Sequence, residues 1–219
     1  MYRQKQEHRI PRGIPDEQFE ELFAALRSDR DRAIVSLLVS SGARAAEMLG
    51  MSGQDVDWGN QRVPLISKGT RQASWVAVSG DALRWLARYL AHERPTLEPR
   101  GPLWLTLRHP LRPLGYQALR AVLLRIDEQL GANWTLHDFR HTCGIRLAAD
   151  PSIPVVDVQA HLRHKHLSTT ETYLVARSED VIRRVQAHQQ ASPVTAAPNA
   201  AGWTYEADDL ATLLGPSNP

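Results

Sequence analysis

The sequence has one cysteine, Cys143, three phenylalanines, and no apolar run that approaches the roughly 20 residues of a membrane span. A single thiol excludes an internal disulfide and a cysteine-rich metal knuckle, which fits a reducing compartment. The first dozen residues, MYRQKQEHRIPR, lack the apolar stretch of a secretory signal. These absences predict a soluble intracellular protein without a membrane partner. Positive charge is missing from residues 191–219, which hold Glu206, Asp208 and Asp209 but no Lys or Arg. The rest of the chain carries all 26 Lys and Arg against 21 of the 24 Asp and Glu, so the formal charge of +2 combines a mildly basic body with an acidic tail. Such a body is compatible with a polyanionic partner, although a surplus of this size is common in proteins that touch no nucleic acid. At 219 residues the chain is long enough for a full hydrophobic core.

What is present is mostly helical periodicity. The polar, basic opening through Ile14 reads as an arm or linker. Asp16 is expected to cap a helix in which Phe19, Leu22, Phe23 and Leu26 form one buried stripe. The nearly all-apolar AIVSLLVSS predicts a core helix, Gly42 interrupts it, and ARAAEML resumes the helical pattern. Between Asp55 and Ser79 the runs RVPLI and SWVAV flank SKGTRQA, whose Gly69 marks the turn of a hairpin bearing Lys68. Helices follow in DALRWLARYLAHER, ending before Pro95, and, after the short run LWLTL, from about Pro113 to Leu130, where Gly131 stops the pattern. Thr135 and Asp138 form a capping box for a helix to about Ala149, Pro154 opens another through Leu162, and Ser168 with Glu171 forms a second box launching a helix that contains Tyr173. Ser178 caps a helix to about Gln190, residues 191–202 read as a linker, and 203–219 as a short amphipathic tail whose Trp203, Leu210, Leu213 and Leu214 are available to pack. The fold class expected is mainly α with a small antiparallel sheet.

Four pieces on this frame carry chemistry. Arg44 and Glu47 lie three apart at a helix start, where they can pair. Lys68 sits on the hairpin turn. His137 and Arg140 share a helix face, and His164 precedes Tyr173 by nine residues. Each alone is ordinary: Arg44 as a surface residue over apolar neighbours, Lys68 as a hairpin tip, the His–Arg pair as a solvated face, Tyr173 as a packed core tyrosine.

Together they make a set suited to a phosphodiester. Two arginines can hold its non-bridging oxygens in forked, charge-assisted hydrogen bonds and stabilise the added charge of a pentavalent transition state. Histidines add a donor and a proton acceptor near neutral pH. A tyrosine hydroxyl with a pKa near 10 is ionised in only about one molecule in a thousand at pH 7, a barrier that cationic neighbours lower. A lysine can protonate the departing sugar oxygen. The result would be metal-free covalent catalysis.

The order Arg, Lys, His-x-x-Arg, His, Tyr resembles the catalytic domain of the tyrosine recombinases, the phage integrase family. SGARAAEML resembles that family's first arginine box, LHDFRHT its second, and LRHKHLSTTETYLVA the box ending in the nucleophile; the likeness covers roughly residues 15–177. It implies that Arg44 and Arg140 clamp the scissile phosphate and that Tyr173 attacks it, giving a 3′-phosphotyrosyl link and a 5′-hydroxyl. It further implies that His137 moves the proton, His164 hydrogen-bonds the phosphate, Lys68 is the general acid and Glu47 supports Arg44. Arg71, His141, Arg163 and Lys165 are further candidates for DNA contact. No metal or other cofactor is implied; the partners implied are double-stranded DNA, copies of the chain assembled as a tetramer on paired sites, and accessory DNA-bending proteins. A bacterial or phage protein of the cytoplasm, associated with the nucleoid, is expected. The domains expected are an arm at 1–14, the catalytic domain at 15–190, the linker, and a tail at 203–219 that docks on a neighbouring protomer.

Two departures stand out. Where the family commonly has Leu-Gly-His, this chain has Leu162, Arg163 and His164. The family also carries an N-terminal helical domain that closes around DNA, whereas only about fifteen residues precede the catalytic region here. The alternatives are a DNA-binding module whose basic residues only position phosphates, a phosphotyrosyl enzyme that relaxes or resolves DNA, and a metal-dependent hydrolase. The last would use His161, His164 and His166, or the i, i+4 pair His137 and His141, but HDFRH lacks the glutamate of a zinc-hydrolase helix.

Overall fold

The computed structural model describes residues 11–66, 73–94, 96, 98, 100–164 and 186. The chain divides into two units, Met1–Ser178 and Glu179–Pro219; only Gln186, in a helix, is described in the second. In the first unit the described elements are α1 (Asp16–Ala25), α2 (Asp29–Ser41), α3 (Ala45–Leu49), a 3-10 turn (Gly53–Asp55), β1 (Arg62–Ile66), β2 (Ala73–Ala77), α4 (Gly80–His92), α5 (Tyr116–Leu130), α6 (Leu136–Ala149) and α7 (Val155–Leu162). Among the described residues the fold is mainly helical with one small antiparallel sheet, as expected.

The apolar run buries α2 on nearly all sides: Ala33, Ile34, Leu37 and Leu38 are fully inaccessible. It packs against α4 and α6. Its start is satisfied twice, by Ser28, whose hydroxyl accepts from the Asp31 N–H, and by Glu93 just beyond α4. The two Glu93 oxygens accept from the N–H groups of Asp29 and Arg30 at 2.9 and 2.8 Å. A carboxylate at a helix N-terminus offsets both the unpaired donors and the helix dipole, so the end of α4 is held at the start of α2.

On α4, Ala82, Leu83, Leu86 and Tyr89 recur at helical spacing and are buried. Tyr89 stacks on Trp104 with ring centres 5.5 Å apart, and its hydroxyl donates to the Leu103 carbonyl and accepts from the Leu105 N–H. The indole of Trp104 donates to the Met48 carbonyl at 2.8 Å, tying α3 to the core. The start of the run LWLTL is therefore held in the interior, with Leu103 and Trp104 buried and Leu107 exposed, and its described residues make an isolated bridge between Leu105 and Pro113. In the hairpin, Arg62 pairs with Ala77 and Ile66 with Ala73; Val63, Leu65 and Val76 face the core. Its turn lies outside the described residues.

Two helix starts differ from expectation. Pro15, not Asp16, occupies the cap of α1; Asp16 is the first helical residue and pairs with Arg146 of α6 at 2.6 Å. Helix α5 begins at Tyr116, because the Leu114 N–H is bound to the Trp104 carbonyl at 2.9 Å and keeps the preceding residues extended. The arm joins the body: Ile14 is in the core, its N–H donates to the Thr142 hydroxyl, and Arg12 lies over Trp134 while donating to Asp138 and Asn133. The expected helices around Tyr173, the linker and the tail lie outside the described residues, Gln186 excepted.

Candidate functional site

The site forms where the end of α2, the start of α3, the start of α6 and the end of α7 meet. Gly42 ends α2 with φ 58°, in the left-handed region that glycine enters without steric cost. Space requires glycine there as well, since a Cβ would come within 2.5 Å of Leu162 Cδ2 and 3.3 Å of Cys143 Sγ. That close approach brings α7 onto α2.

Arg44 follows as the cap of α3. Glu47 reaches back to it: one carboxylate oxygen accepts from the Arg44 N–H and the other from its guanidinium, both at 2.9 Å. The Arg44 side chain is 46% exposed and that of Glu47 is 4% exposed, so the buried acid aims a solvent-facing arginine. Burial pushes the Glu47 carboxyl upward, but the Arg44 N–H, the Arg163 charge and the Arg44 guanidinium outweigh it, leaving the group below its ordinary value.

On α6 the capping box forms, with the Thr135 N–H bound to Asp138 at 2.7 Å. This fixes the turn that carries His137 and Arg140. Arg140 is 2% exposed, and its guanidinium donates to the carbonyls of Gly42 and Leu162. One buried cation thus joins the residues just ahead of Arg44 to those just ahead of His164. His137 and His141 meet edge to face, ring centres 4.4 Å apart.

Helix α7 ends at Arg163, which adopts φ 55° and ψ 43°. The family's glycine position is left-handed here, and an arginine occupies it at a cost of about 1 kcal/mol. Arg163 is not turned toward solvent. Its side chain is 6% exposed and donates to Glu47 at 2.8 Å and to the His161 carbonyl at 3.0 Å. The turn then places His164, whose N–H donates to the Gln159 carbonyl.

Electrostatically the cluster favours anions. Burial, followed by the charges of Arg140, Arg44, His141 and Arg163, lowers His164 to about 4. His141 falls to about 4 through burial and His137, and His137 is lowered by burial and Arg140. All three are therefore neutral at pH 7, able to accept a proton or donate a hydrogen bond. Cys143 is buried, its thiol pushed up to about 12 by burial, which suits a packing role rather than a nucleophile. Among the described residues no group of three His, Cys, Asp or Glu side chains is arranged to hold a metal ion.

The structure brings together Arg44, Glu47, His137, Arg140, His141, Arg163 and His164. Lys68, Arg71, Lys165 and Tyr173 lie outside the described residues. Sequence reading missed the scaffold beneath: the Ser40 carbonyl accepts from His161 Nε2 at 3.0 Å and from Cys143 Sγ at 3.6 Å, fastening α7 and α6 to the end of α2. A histidine among apolar positions of α7 was the available signal for His161; no local pattern marks Ser40.

The fold that carries these residues is that of the tyrosine recombinase catalytic domains. Residues 12–179 match the phage integrase family, and the chain belongs to it. The chain is 28% identical over 196 residues to tyrosine recombinase XerC of Staphylococcus saprophyticus, covering 85% of this chain and 65% of that protein. It is 27% identical over 210 residues to XerD of Proteus mirabilis, covering 84% and 60%. It thus spans less than two thirds of the length of these curated relatives. Among solved structures it superposes on XerA recombinase with a TM-score of 0.66 at 19% identity, covering 84% of this chain and 66% of that one. The XerH recombinase in a post-cleavage complex with its difH substrate gives 0.66 at 18% identity, covering 85% and 56%. No helix among the described residues is long and apolar enough to cross a membrane.

Proposed function

We propose that the chain catalyses site-specific DNA recombination by cleaving and rejoining strands through a 3′-phosphotyrosyl intermediate on Tyr173, without metal or ATP. The observation that carries this reading is the double anchoring of Arg140 to Gly42 and Leu162, which sets it beside Arg44 and His164. In this reading both guanidiniums bind the scissile phosphate. The two carbonyls occupy two of the five N–H donors of Arg140 and fix its plane. Arg44, aimed by Glu47 and half exposed, meets the incoming anion. Neutral His137 accepts the tyrosyl proton, His164 donates to a phosphate oxygen, and Lys68 protonates the departing 5′ oxygen. The phosphoryl group passes from the 5′ oxygen to the phenol oxygen, so the bond energy is retained in the ester and a second strand can be joined. His141, Arg71 and Lys165 belong to the DNA-facing surface in the same reading.

The relatives named as tyrosine recombinases and the XerH complex with its DNA substrate support double-stranded DNA as the partner. A tetramer on paired sites, accessory bending proteins, docking of residues 203–219 on a neighbouring protomer, and a bacterial or phage cytoplasmic, nucleoid-associated setting complete the proposal.

The test uses a nicked suicide duplex taken from a randomised pool by its binding to the wild-type chain. A denaturant-resistant protein–DNA species that forms in chelator and is lost in Tyr173→Phe is expected. Salt-sensitive binding without any adduct would leave a DNA-binding module.

A further inference from the structure

Arg163 stands where the integrase pattern has glycine, and its backbone takes the conformation that glycine favours. An arginine there gains no freedom, and its charge is removed from water. What it gains is visible in the contacts: one Glu47 oxygen accepts from the Arg163 guanidinium at 2.8 Å, while the other accepts from the Arg44 guanidinium at 2.9 Å. The Arg163 and Glu47 side chains are 6% and 4% exposed. Arg44, by contrast, is open to solvent on its far side.

We propose that Arg163 is a positioning residue for strand cleavage: anchored at the end of α7, it holds one oxygen of Glu47 while Arg44 holds the other, and so fixes where Arg44 points. This rests on the reading of Arg44 as a phosphate ligand. The oxygen that Arg163 holds also accepts from the Arg44 main-chain N–H, so the capping contact already ties Glu47 to the start of α3, and Arg163 adds a second tie from the same carboxylate to the end of α7. The Arg140 contacts with Gly42 and Leu162 join the same two segments, so the first and third boxes are tied to each other twice. Because the Arg163 side chain is buried and already bound to Glu47 and the His161 carbonyl, it acts through Glu47 rather than on the phosphate.

The experiment compares the wild-type chain with Arg163→Gly and Arg163→Lys, each alone and with Glu47→Gln, on the selected nicked duplex. Glycine suits the left-handed backbone, and Glu47 keeps both Arg44 contacts, so Arg163→Gly folds. Its cleavage rate at saturating DNA should fall about tenfold or more while affinity stays within about threefold, the pattern of a lost transition-state alignment. Lysine should restore part of the rate. In the Glu47→Gln background the same change should cost less than about threefold, because the two residues act as a unit.

Overturning results are an unchanged rate, an equal loss in both backgrounds, or weakened binding with a shallower salt dependence, which would mark Arg163 as a direct phosphate contact. A readout independent of cleavage is the Nη–Hη resonance of Arg44 in the DNA-free protein, the group that donates to Glu47. It should shift and lose protection from exchange in Arg163→Gly, and partly recover in Arg163→Lys. If wild-type protein forms no adduct, the cleavage reading falls, and this resonance still decides: an unaltered signal refutes the positioning role.

Discussion

Arg140 donates to the carbonyl of Gly42 across 98 residues of sequence. That bond makes the second arginine part of the backbone geometry that presents the first. Replacing Arg140 with lysine keeps the charge but cannot bridge two carbonyls as a planar fork does. Arg140→Lys should lower stability by about 1–3 kcal/mol, from buried carbonyls left unpaired, and cleavage by about a hundredfold or more. Thermal unfolding and adduct formation on the nicked duplex measure the two losses separately. A stable variant with full cleavage would show that Arg140 neither braces nor binds.

Tyr173→Phe removes one oxygen and nothing else. It should bind the selected duplex as wild type does and form no covalent adduct, checked by mobility shift and denaturing gels on the same samples. Lys68→Ala is expected to lose rate on an ordinary duplex and to recover at least part of it when a thiol replaces the 5′ oxygen as leaving group, since a thiolate departs without a proton. Absence of recovery would move the acid role to another residue.

Much of this arrangement is local and so was legible in the sequence. The box Thr135 to Asp138 sets the start of α6 within one turn, and RVPLI with SWVAV gives both strands within a residue, because turn chemistry and alternation act over neighbours. Gly42 was legible as a stop, but the reason for glycine is Leu162, met only after folding. The start of α5 escaped for a similar cause: Trp104 holds Leu114 extended where the pattern alone continues a helix. Arg163 was legible as a departure from the family, yet the Glu47 it binds lies 116 residues away. Spacing within a box is written locally; what joins one box to another is tertiary.

The tail prediction concerns assembly rather than chemistry. Deleting residues 191–219 should abolish cooperative assembly on DNA while sparing adduct formation. The measurement is the number of protomers bound to paired-site DNA, beside the adduct yield on the nicked duplex. Unaltered assembly would sink the docking proposal.

The histidines give the DNA-free protein a characteristic acid sensitivity. His164 and His141 titrate at about 4 when folded and near 6.5 when unfolded. Between those values the unfolded chain binds more protons, so stability rises with pH. The contribution is complete above about 6.5 and is lost as pH falls toward 4. Arg44, Arg140, Arg163 and His137 face these rings with like or potential positive charge, and Asp138 offsets part of it near His141. The melting temperature should therefore drop between pH 6.5 and pH 4, and less steeply in His141→Gln with His164→Gln. With a phosphate at the centre, as proposed, the sign should reverse, because the anion favours protonated rings. Affinity for the selected duplex should accordingly rise as pH is lowered from 6.5, with proton uptake measurable by calorimetry in buffers of different ionisation heat. A pH-independent affinity would mean that no phosphate approaches His164 or His141.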